Sequence, residues 1–451
     1  MAFEVITTNQ TVTYNIDNDD TVFLAEGVRI AAVGNGFNAL GIANRTSNIS
    51  LFVLGTVYTE YDGINFYQNI ITPDGLTNSR ITVGDTGSIY ARRNGAILAG
   101  GTNNAFANHG TIAADFTGLT ILGAGFSVLN TGSITARFEA IIIAQDYTYA
   151  SLRIVNSGQI ATLEPTGSAI YFSFDSYTRA DIVNSGQILG RVSLTNQADR
   201  YENIGTGVAS GQVQGYAGND TLVGGDLADL IDGGADHDLL IGRAGNDTLT
   251  GDTGNDTIIG GAGDDRIDSG SNDDMLNGNA GSDTIFAGDG NDIVVGQDGN
   301  DYLDGGADND TMDGGADDDT LEGGAGNDIL RGRGGEDDLA GGLGMDLLTG
   351  GPGADNFVFR ALAESVVGAN RDQVLDFEQG ADLIVVAGLS PGVFEFRGTL
   401  PFAPSGNPEL RLFETATGST IVQVDADGNG SVDAEIRVAD VTGLTAVDFV
   451  L

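Results

Sequence analysis

The feature that most restricts this 451-residue chain is a nine-residue period that never breaks. From Gly215 to Val358 the sequence reads as sixteen consecutive nonapeptides of the form Gly-Gly-x-Gly-x-Asp-x-apolar-x, with no residue inserted or lost. The sixth position is always aspartate: Asp220, Asp229, Asp238, Asp247, Asp256, Asp265, Asp274, Asp283, Asp292, Asp301, Asp310, Asp319, Asp328, Asp337, Asp346 and Asp355. The eighth is always apolar, from Leu222, Ile231 and Leu240 to Leu348 and Phe357. A unit this short cannot bury its own apolar residue, so a carboxylate and an apolar side chain in fixed phase require one unit stacked on itself. The expected fold class is all-β, a parallel β-roll that grows along one axis.

In such a roll the first six residues form a turn and the last three a short strand with its apolar residue inward. Two nonapeptides make a coil, so alternate aspartates stack on the same edge. One column is Asp220, Asp238, Asp256, Asp274, Asp292, Asp310, Asp328 and Asp346, and the other eight form the second. Like charges at a rung spacing of about 4.8 Å repel by roughly 3 kcal/mol at an effective dielectric near 20. A short strand with one apolar side chain does not offset that. A hard dication between turns reverses the sign, because Ca²⁺ takes about six to eight oxygens. The aspartates supply some. Backbone carbonyls of turns held at positive φ supply others, which assigns a metal role to the fourth-position glycines Gly218, Gly245, Gly254, Gly263, Gly281, Gly290, Gly299, Gly326, Gly335, Gly344 and Gly353. The expected capacity is about fourteen Ca²⁺ ions. Leu227, a γ-branched residue at the fourth position, marks the expected weak turn.

Charge agrees with this reading. The array holds 33 of the 64 acidic residues and four of the 19 basic ones, so most of the net −45 is concentrated there. Nucleic acid is a poor partner for that surface. The chain has no lysine and no cysteine and only two histidines, His109 and His237. Schiff-base, P-loop, thiol and multi-histidine zinc chemistry are thereby excluded. Residues 1–30 lack the basic start and apolar run of a cleaved secretory signal, and no run of about 20 apolar residues spans a bilayer. Export, if it occurs, is expected to read another part of the chain.

Residues 1–214 repeat more loosely. Asn-x-Gly-x-Ile occurs at Asn108–Ile112, Asn130–Ile134, Asn156–Ile160 and Asn184–Ile188, with related glycines at 55, 87 and 211. Each is flanked by two further apolar patches, as at Phe126–Val128 and Ile141. Three short β patches per coil predict a three-sided parallel β-helix whose asparagines stack as an amide ladder, with a sandwich of hairpins as the alternative. Residues 1–35 show no matching coil and are expected to cap the open end. The β-helix is expected to continue into the roll without a linker. Aromatic clusters at Tyr58, Tyr61, Phe66, Tyr67 and at Tyr171, Phe172, Phe174, Tyr177 have two readings, strand packing or a sugar-binding face.

The array resembles the RTX repeats of bacterial type I secreted proteins. Downstream, Gly353-Ala-Asp-Asn-Phe-Val-Phe359, Asp372-Gln-Val-Leu-Asp-Phe377 and Gly380-Ala-Asp-Leu-Ile384 are similar to the C-terminal module of serralysin-type proteins. The ending Asp448-Phe-Val-Leu451 looks like their uncleaved export signal. The resemblance implies a type I exporter as a partner and residues 359–451 as a β cap carrying that signal. Asp425, Asp427, Asn429 and Asp433 match an EF-hand-type loop with Gly430 at its sixth position, but Ile436 stands where the bidentate glutamate belongs.

No His-Glu-x-x-His or Gly-x-Ser-x-Gly motif is present, and His109 reads as a turn residue of its coil. The expected function is a secreted, extracellular calcium-binding structural protein without catalysis, a surface-layer, matrix or adhesin component. Its further partners would be a cell-surface polysaccharide or other copies of itself. The alternative is a calcium-dependent polysaccharide lyase or epimerase using Arg92, Arg93, Glu60, Asp62 and Tyr58.

Overall fold

The computed structural model describes residues 3–6, 14–16, 21–24, 29–32, 40–42, 50–59, 64–66, 78–99, 103–122, 126–144, 150–173, 178–386, 389–390 and 392–451. The chain divides into two compact units, Met1–Leu240 and Ile241–Leu451. Among the described residues, regular structure is β-strand apart from one 3₁₀ turn, Ala446–Asp448.

The first unit is a parallel solenoid of three-strand coils. One coil is Arg80–Val83, Ser88–Ala91 and Asn94–Ala99; the next is Asn104–Asn108, Thr111–Ala114 and Thr117–Leu122. Each strand pairs in parallel with its equivalent one coil away, as in Ile89↔Ile112, Ile112↔Ile134, Ile134↔Ile160 and Ile160↔Ile188. These isoleucines are fully buried. The Asn-x-Gly-x-Ile signature now has a physical account. The asparagine ends one strand inside the coil, and the isoleucine points into the core from the next. The glycine between passes so close to its neighbour that a Cβ at Gly132 would collide with the backbone of His109 and Gly110.

The expected cap over residues 1–35 is corrected. Phe3–Ile6 pairs in parallel with Thr21–Leu24, which pairs with Ser50–Val53, and Arg29–Ala32 pairs with Thr56–Thr59. These rungs lack the Asn-x-Gly turn because a parallel ladder needs extended backbone in register, not one particular corner.

The second unit keeps an 18-residue register through most of its length, as in Leu303↔Leu321 and Met312↔Leu330. Its strands are longer than expected. Thr248–Thr253 and Thr257–Ala262 run from the seventh position of one nonapeptide through the third of the next, so the turn proper is three residues, not six. The eighth-position side chains, from Leu249 and Ile258 to Leu348 and Phe357, are fully buried. Beyond them Leu348 pairs with Val374 and Phe357 with Ile384. Val374 then pairs in parallel with Val438, and Ile384 with Phe449. An antiparallel group of Glu409–Glu414, Thr420–Asp425 and Ala434–Val438 completes the unit. The terminal residues are part of this fold: Phe449 is buried, and Asp448 accepts from the Thr445 N–H (2.7 Å) and hydroxyl (3.1 Å).

Candidate metal centre

The turns position the sixth-position carboxylates through backbone conformation. Fourth-position residues take positive φ at Gly245, Gly263, Gly281, Gly299 and also at Asp236, Asn272, Asp308 and Asp317, where the short polar side chain tolerates it. The second position does the same, a feature not anticipated from the sequence because long side chains occupy it. Tyr216, Arg243, Gln297 and Arg333 all lie near φ +80 to +87. Leu227 and its neighbour Gly225 are not among the positive-φ residues, and Leu227 is exposed.

Along most of the array the carboxylate is stapled to the preceding coil. In the first unit the Asp220 N–H donates to Asp238 Oδ1 at 2.8 Å. In the second, one column runs Asp256 to Asp274 (2.7 Å), Asp274 to Asp292 (2.8 Å), Asp292 to Asp310 (2.9 Å), Asp310 to Asp328 (2.9 Å) and Asp328 to Asp346 (2.8 Å). The other runs from Asp247 through Asp265, Asp283, Asp301, Asp319 and Asp337 to Asp355 at 2.8–3.0 Å. The second oxygen is the chemically open one. The Oδ2 atoms of Asp265, Asp283, Asp301, Asp310, Asp319, Asp328 and Asp337 are buried and accept no hydrogen bond. They lie against the first-position glycines. A Cβ at Gly296 or Gly305 would collide with Oδ2 of Asp301 or Asp310 and with the carbonyl of Gly314 or Gly323, one coil on. The first glycine, present in all but two of the nonapeptides, thus keeps open a place where a carboxylate and a carbonyl oxygen converge. At Ser269, where a side chain occupies the position, the hydroxyl donates to the Ala287 carbonyl at 2.6 Å.

Electrostatics show what such a site lacks. Burial, reinforced by neighbouring aspartates, pushes Asp319 up to about 8 and Asp274, Asp283, Asp310 and Asp328 up to about 7. Burial likewise raises Asp301, Asp337 and Asp355 to about 6. An uncompensated buried carboxylate must take a proton or a cation. The donor set is wholly oxygen and anionic, which fits a hard dication such as Ca²⁺ and does not fit a soft metal. The sixth-position aspartates would hold it, with turn carbonyls completing the shell.

Asp229 differs from the others. Its Oδ2 accepts the Gly225 N–H at 2.6 Å, so its own turn satisfies it. Three aspartates outside the nonapeptides enter the same ladders. The Asp199 N–H donates to Asp220 Oδ1 (2.6 Å), and Asp372 and Asp382 accept from the N–H groups of Asp346 (2.9 Å) and Asp355 (3.1 Å). In sequence these show as short Asp-x-apolar runs out of phase with the array, two of them within the segments Asp372–Phe377 and Gly380–Ile384 singled out above.

In the other candidate loop, Asp425, Asp427 and Asp433 each bring an oxygen within 4.8 Å of the others. Backbone donors already occupy them: the Gly430 N–H reaches Asp425 Oδ2 at 2.7 Å, and the Asn429 N–H reaches Asp427 Oδ1 at 3.0 Å. Glu435, adjacent to the missing twelfth ligand, instead pairs with Arg371 at 2.7 Å, and Ile436 is core.

The amide ladder exists and is longer than expected. Nδ2 of Asn108 donates to Asn130 (2.8 Å), Asn130 to Asn156 (2.7 Å), Asn156 to Asn184 (2.7 Å) and Asn184 to Asn203 (2.8 Å). His109 is an exposed turn residue whose Nδ1 lies 2.7 Å from the Thr131 hydroxyl. Of the enzyme alternative, Glu60 and Asp62 lie outside the described residues, as do Tyr61, Tyr67, Phe174 and Tyr177. Tyr58 and Arg92 line a groove of ≈ 320 Å³ with Tyr90, Asp115, Thr135 and Leu163. Phe172 is fully buried and belongs to the core.

Residues 214–249, 241–276, 277–312, 313–348 and 331–359 match the family described as RTX calcium-binding nonapeptide repeat (4 copies). Among solved structures, the solution structure of the AlgE6R3 subunit from the Azotobacter vinelandii mannuronan C5-epimerase is similar. It shares 28% identity, over 32% of this chain and 78% of that one, with a TM-score of 0.26. No curated protein matches the chain. The family match ends at residue 359, so the likeness of the C-terminal segment to serralysin-type modules gains no support from it. The array is a set of RTX calcium-binding repeats.

Proposed function

We propose that this protein is a secreted, calcium-folded structural component of the bacterial exterior. The observation that carries the reading is the buried Oδ2 column, as at Asp283, Asp310 and Asp328, to which no donor among the described residues reaches. Where calcium is scarce the carboxylates oppose closure of the coil, leaving an open chain suited to threading through a type I exporter. Where calcium is plentiful, each site stabilises the folded form by RT ln(1 + [L]/Kd). Acidic outer faces then become surfaces that calcium can bridge between copies. In this reading about fourteen ions fold the array, and the loop at Asp425–Asp433 is a weaker candidate because Glu435 is engaged by Arg371. Electron microscopy of the purified protein with calcium tests the assembly role. Lattices or filaments support it, and monodisperse particles at millimolar calcium sink it.

A second reading has its own observation. The groove beside Tyr58 and Tyr90 combines two exposed aromatic rings with Arg92, Asp115 and a small-residue floor of Ala113 and Ala114, a surface suited to a sugar ring. Depolymerisation or epimerisation of a polyuronate, lost in Arg92→Ala, would move the assignment to an enzyme.

A further inference from the structure

The calcium reading of the array treats its sixteen aspartates as equivalent, and the hydrogen bonding does not. We infer that the metal-binding set is shifted against the sequence repeat: Asp372, outside the nonapeptides, is a ligand, whereas Asp229, inside them, is not. The inference rests on that calcium reading.

The distinction lies in the second carboxylate oxygen. A sixth-position aspartate of the ordinary kind has one oxygen fixed by the N–H of the previous coil and one buried without a donor, as in Asp310 and Asp328. Asp372 has the same arrangement. Its Oδ1 accepts from the Asp346 N–H at 2.9 Å, and its Oδ2 is buried and accepts nothing. The nearby hydroxyl of Ser365 does not supply the missing donor, since its proton goes to the Glu435 carbonyl at 2.6 Å and its oxygen accepts the Asp372 N–H at 3.0 Å. Val374 follows two residues later, buried and paired with Leu348, so Asp372-Gln373-Val374 is the strand half of a nonapeptide. Its glycine half is replaced by a longer excursion, 26 residues after Asp346 instead of 18. Asp346, also with a buried donorless Oδ2, is the rung that Asp372 stacks on, and neither carboxylate is in an ion pair among the described residues. Asp346 and Asp372 are thus successive rungs with the same buried, donorless oxygens as the rungs of the array, the hard donors a calcium ion takes.

Three other aspartates show the opposite arrangement. Asp229 Oδ2 accepts from the Gly225 N–H at 2.6 Å, and Asp382 Oδ2 from the Glu378 N–H at 2.6 Å. Asp199 Oδ2 accepts from both the Thr195 N–H (2.7 Å) and hydroxyl (2.8 Å). In each case the donor lies four residues upstream, so the turn closes on its own carboxylate and a metal would have to displace an N–H. The turn at Gly225 and Leu227 also lacks the positive-φ residues found at the second and fourth positions of other turns. Asp199 and Asp382 act as hydrogen-bonded ends of their ladders, and Asp229 as a closed turn.

The test counts calcium bound by the full chain after equilibration in calcium and removal of excess, by atomic emission. It compares the unaltered protein with Asp292→Asn, Asp372→Asn, Asp229→Asn and Asp382→Asn; asparagine keeps the Oδ1 acceptor of the ladder. Asp292→Asn and Asp372→Asn are expected to lose bound calcium, and the other two to keep the full complement. A full complement in Asp372→Asn, or a loss in Asp229→Asn, overturns the inference while leaving the array reading intact. An unaltered chain that binds no calcium overturns both. Because a variant can fail to fold, anomalous scattering from crystals of the unaltered protein grown in calcium gives an independent readout. A peak between Asp346 and Asp372 and none at Asp229 is expected, and the reverse pattern overturns the assignment.

Discussion

Two kinds of ladder run through this molecule, and they solve the same problem with different chemistry. In the β-helix the stacked residue is asparagine, from Asn108 to Asn203, and each amide donates to the next at 2.7–2.8 Å. An amide carries both donor and acceptor, so a column of amides satisfies itself in a dry interior. In the array the stacked residue is aspartate, which only accepts. The backbone can supply one oxygen through the preceding N–H, and the other is left for something from outside the chain. One atom per stacked side chain, nitrogen or oxygen, separates a self-sufficient solenoid from one that depends on a metal.

The comparison breaks first, and most visibly, under chelation. Removing calcium is expected to abolish the β signal of residues 241–359 while leaving the amide-laddered coils folded, as read by circular dichroism and limited proteolysis. Equal order in both regions without metal would erase the distinction.

Acid gives the next largest effect, with opposite signs for the bare and loaded array. Burial holds Asp319 at about 8 and Asp274, Asp283, Asp310 and Asp328 at about 7, well above the ordinary carboxylate value in an unfolded chain. Raised folded values mean that the metal-free coil binds more protons than the unfolded chain, so its stability rises as pH falls through about 8 to about 6. That contribution is complete below the unfolded value near 4 and is lost as pH climbs through the folded ones. Chelated protein should therefore regain β signal on going from about pH 8 to about pH 5. Calcium affinity should fall over the same range, because the ion must displace those protons. Titration of the dichroism signal with and without chelator reads both.

Converting one ladder residue to the other type is a smaller, local test. Asn156→Asp removes the donor to Asn184 and buries a charge, and is expected to destabilise the first unit by roughly 3 kcal/mol or more, independent of calcium. Thermal or denaturant unfolding at saturating calcium measures it. Leu227→Gly sits at the low end: it frees the turn to take positive φ and should change stability by less than about 1 kcal/mol. A gain in bound calcium in that variant would show that Leu227 alone closes the Asp229 turn.

Much of this was legible beforehand for a physical reason. A period of nine with an apolar eighth residue dictates which side chains are inside, and Leu249, Ile258 and Met312 lie there. The Asn-x-Gly-x-Ile spacing foretold both the three-sided coil and the stacking of Asn108, Asn130, Asn156 and Asn184. Where the period lapses, legibility ended. Asp372 and Asp382 enter the ladders after steps of 26 and 27 residues, with no phase to mark them, whereas Asn203 still carries the Asn-x-Gly of its coil and lacks only the isoleucine. The rungs formed by Phe3–Ile6 and Arg29–Ala32 have no corner signature at all. Left-handed residues such as Arg243 and Gln297 sit at positions where their side chains give no warning.

Sequence alone therefore determined that a carboxylate and an apolar residue recur together, hence that acidic columns run beside a buried core and call for a dication. Tertiary structure decided which of those carboxylates are open. That depends on whether a particular N–H, four residues upstream or one coil away, reaches a particular oxygen. Gly225 reaches Asp229 and nothing reaches the Oδ2 of Asp372, a matter of backbone direction in each turn that residue identity does not encode.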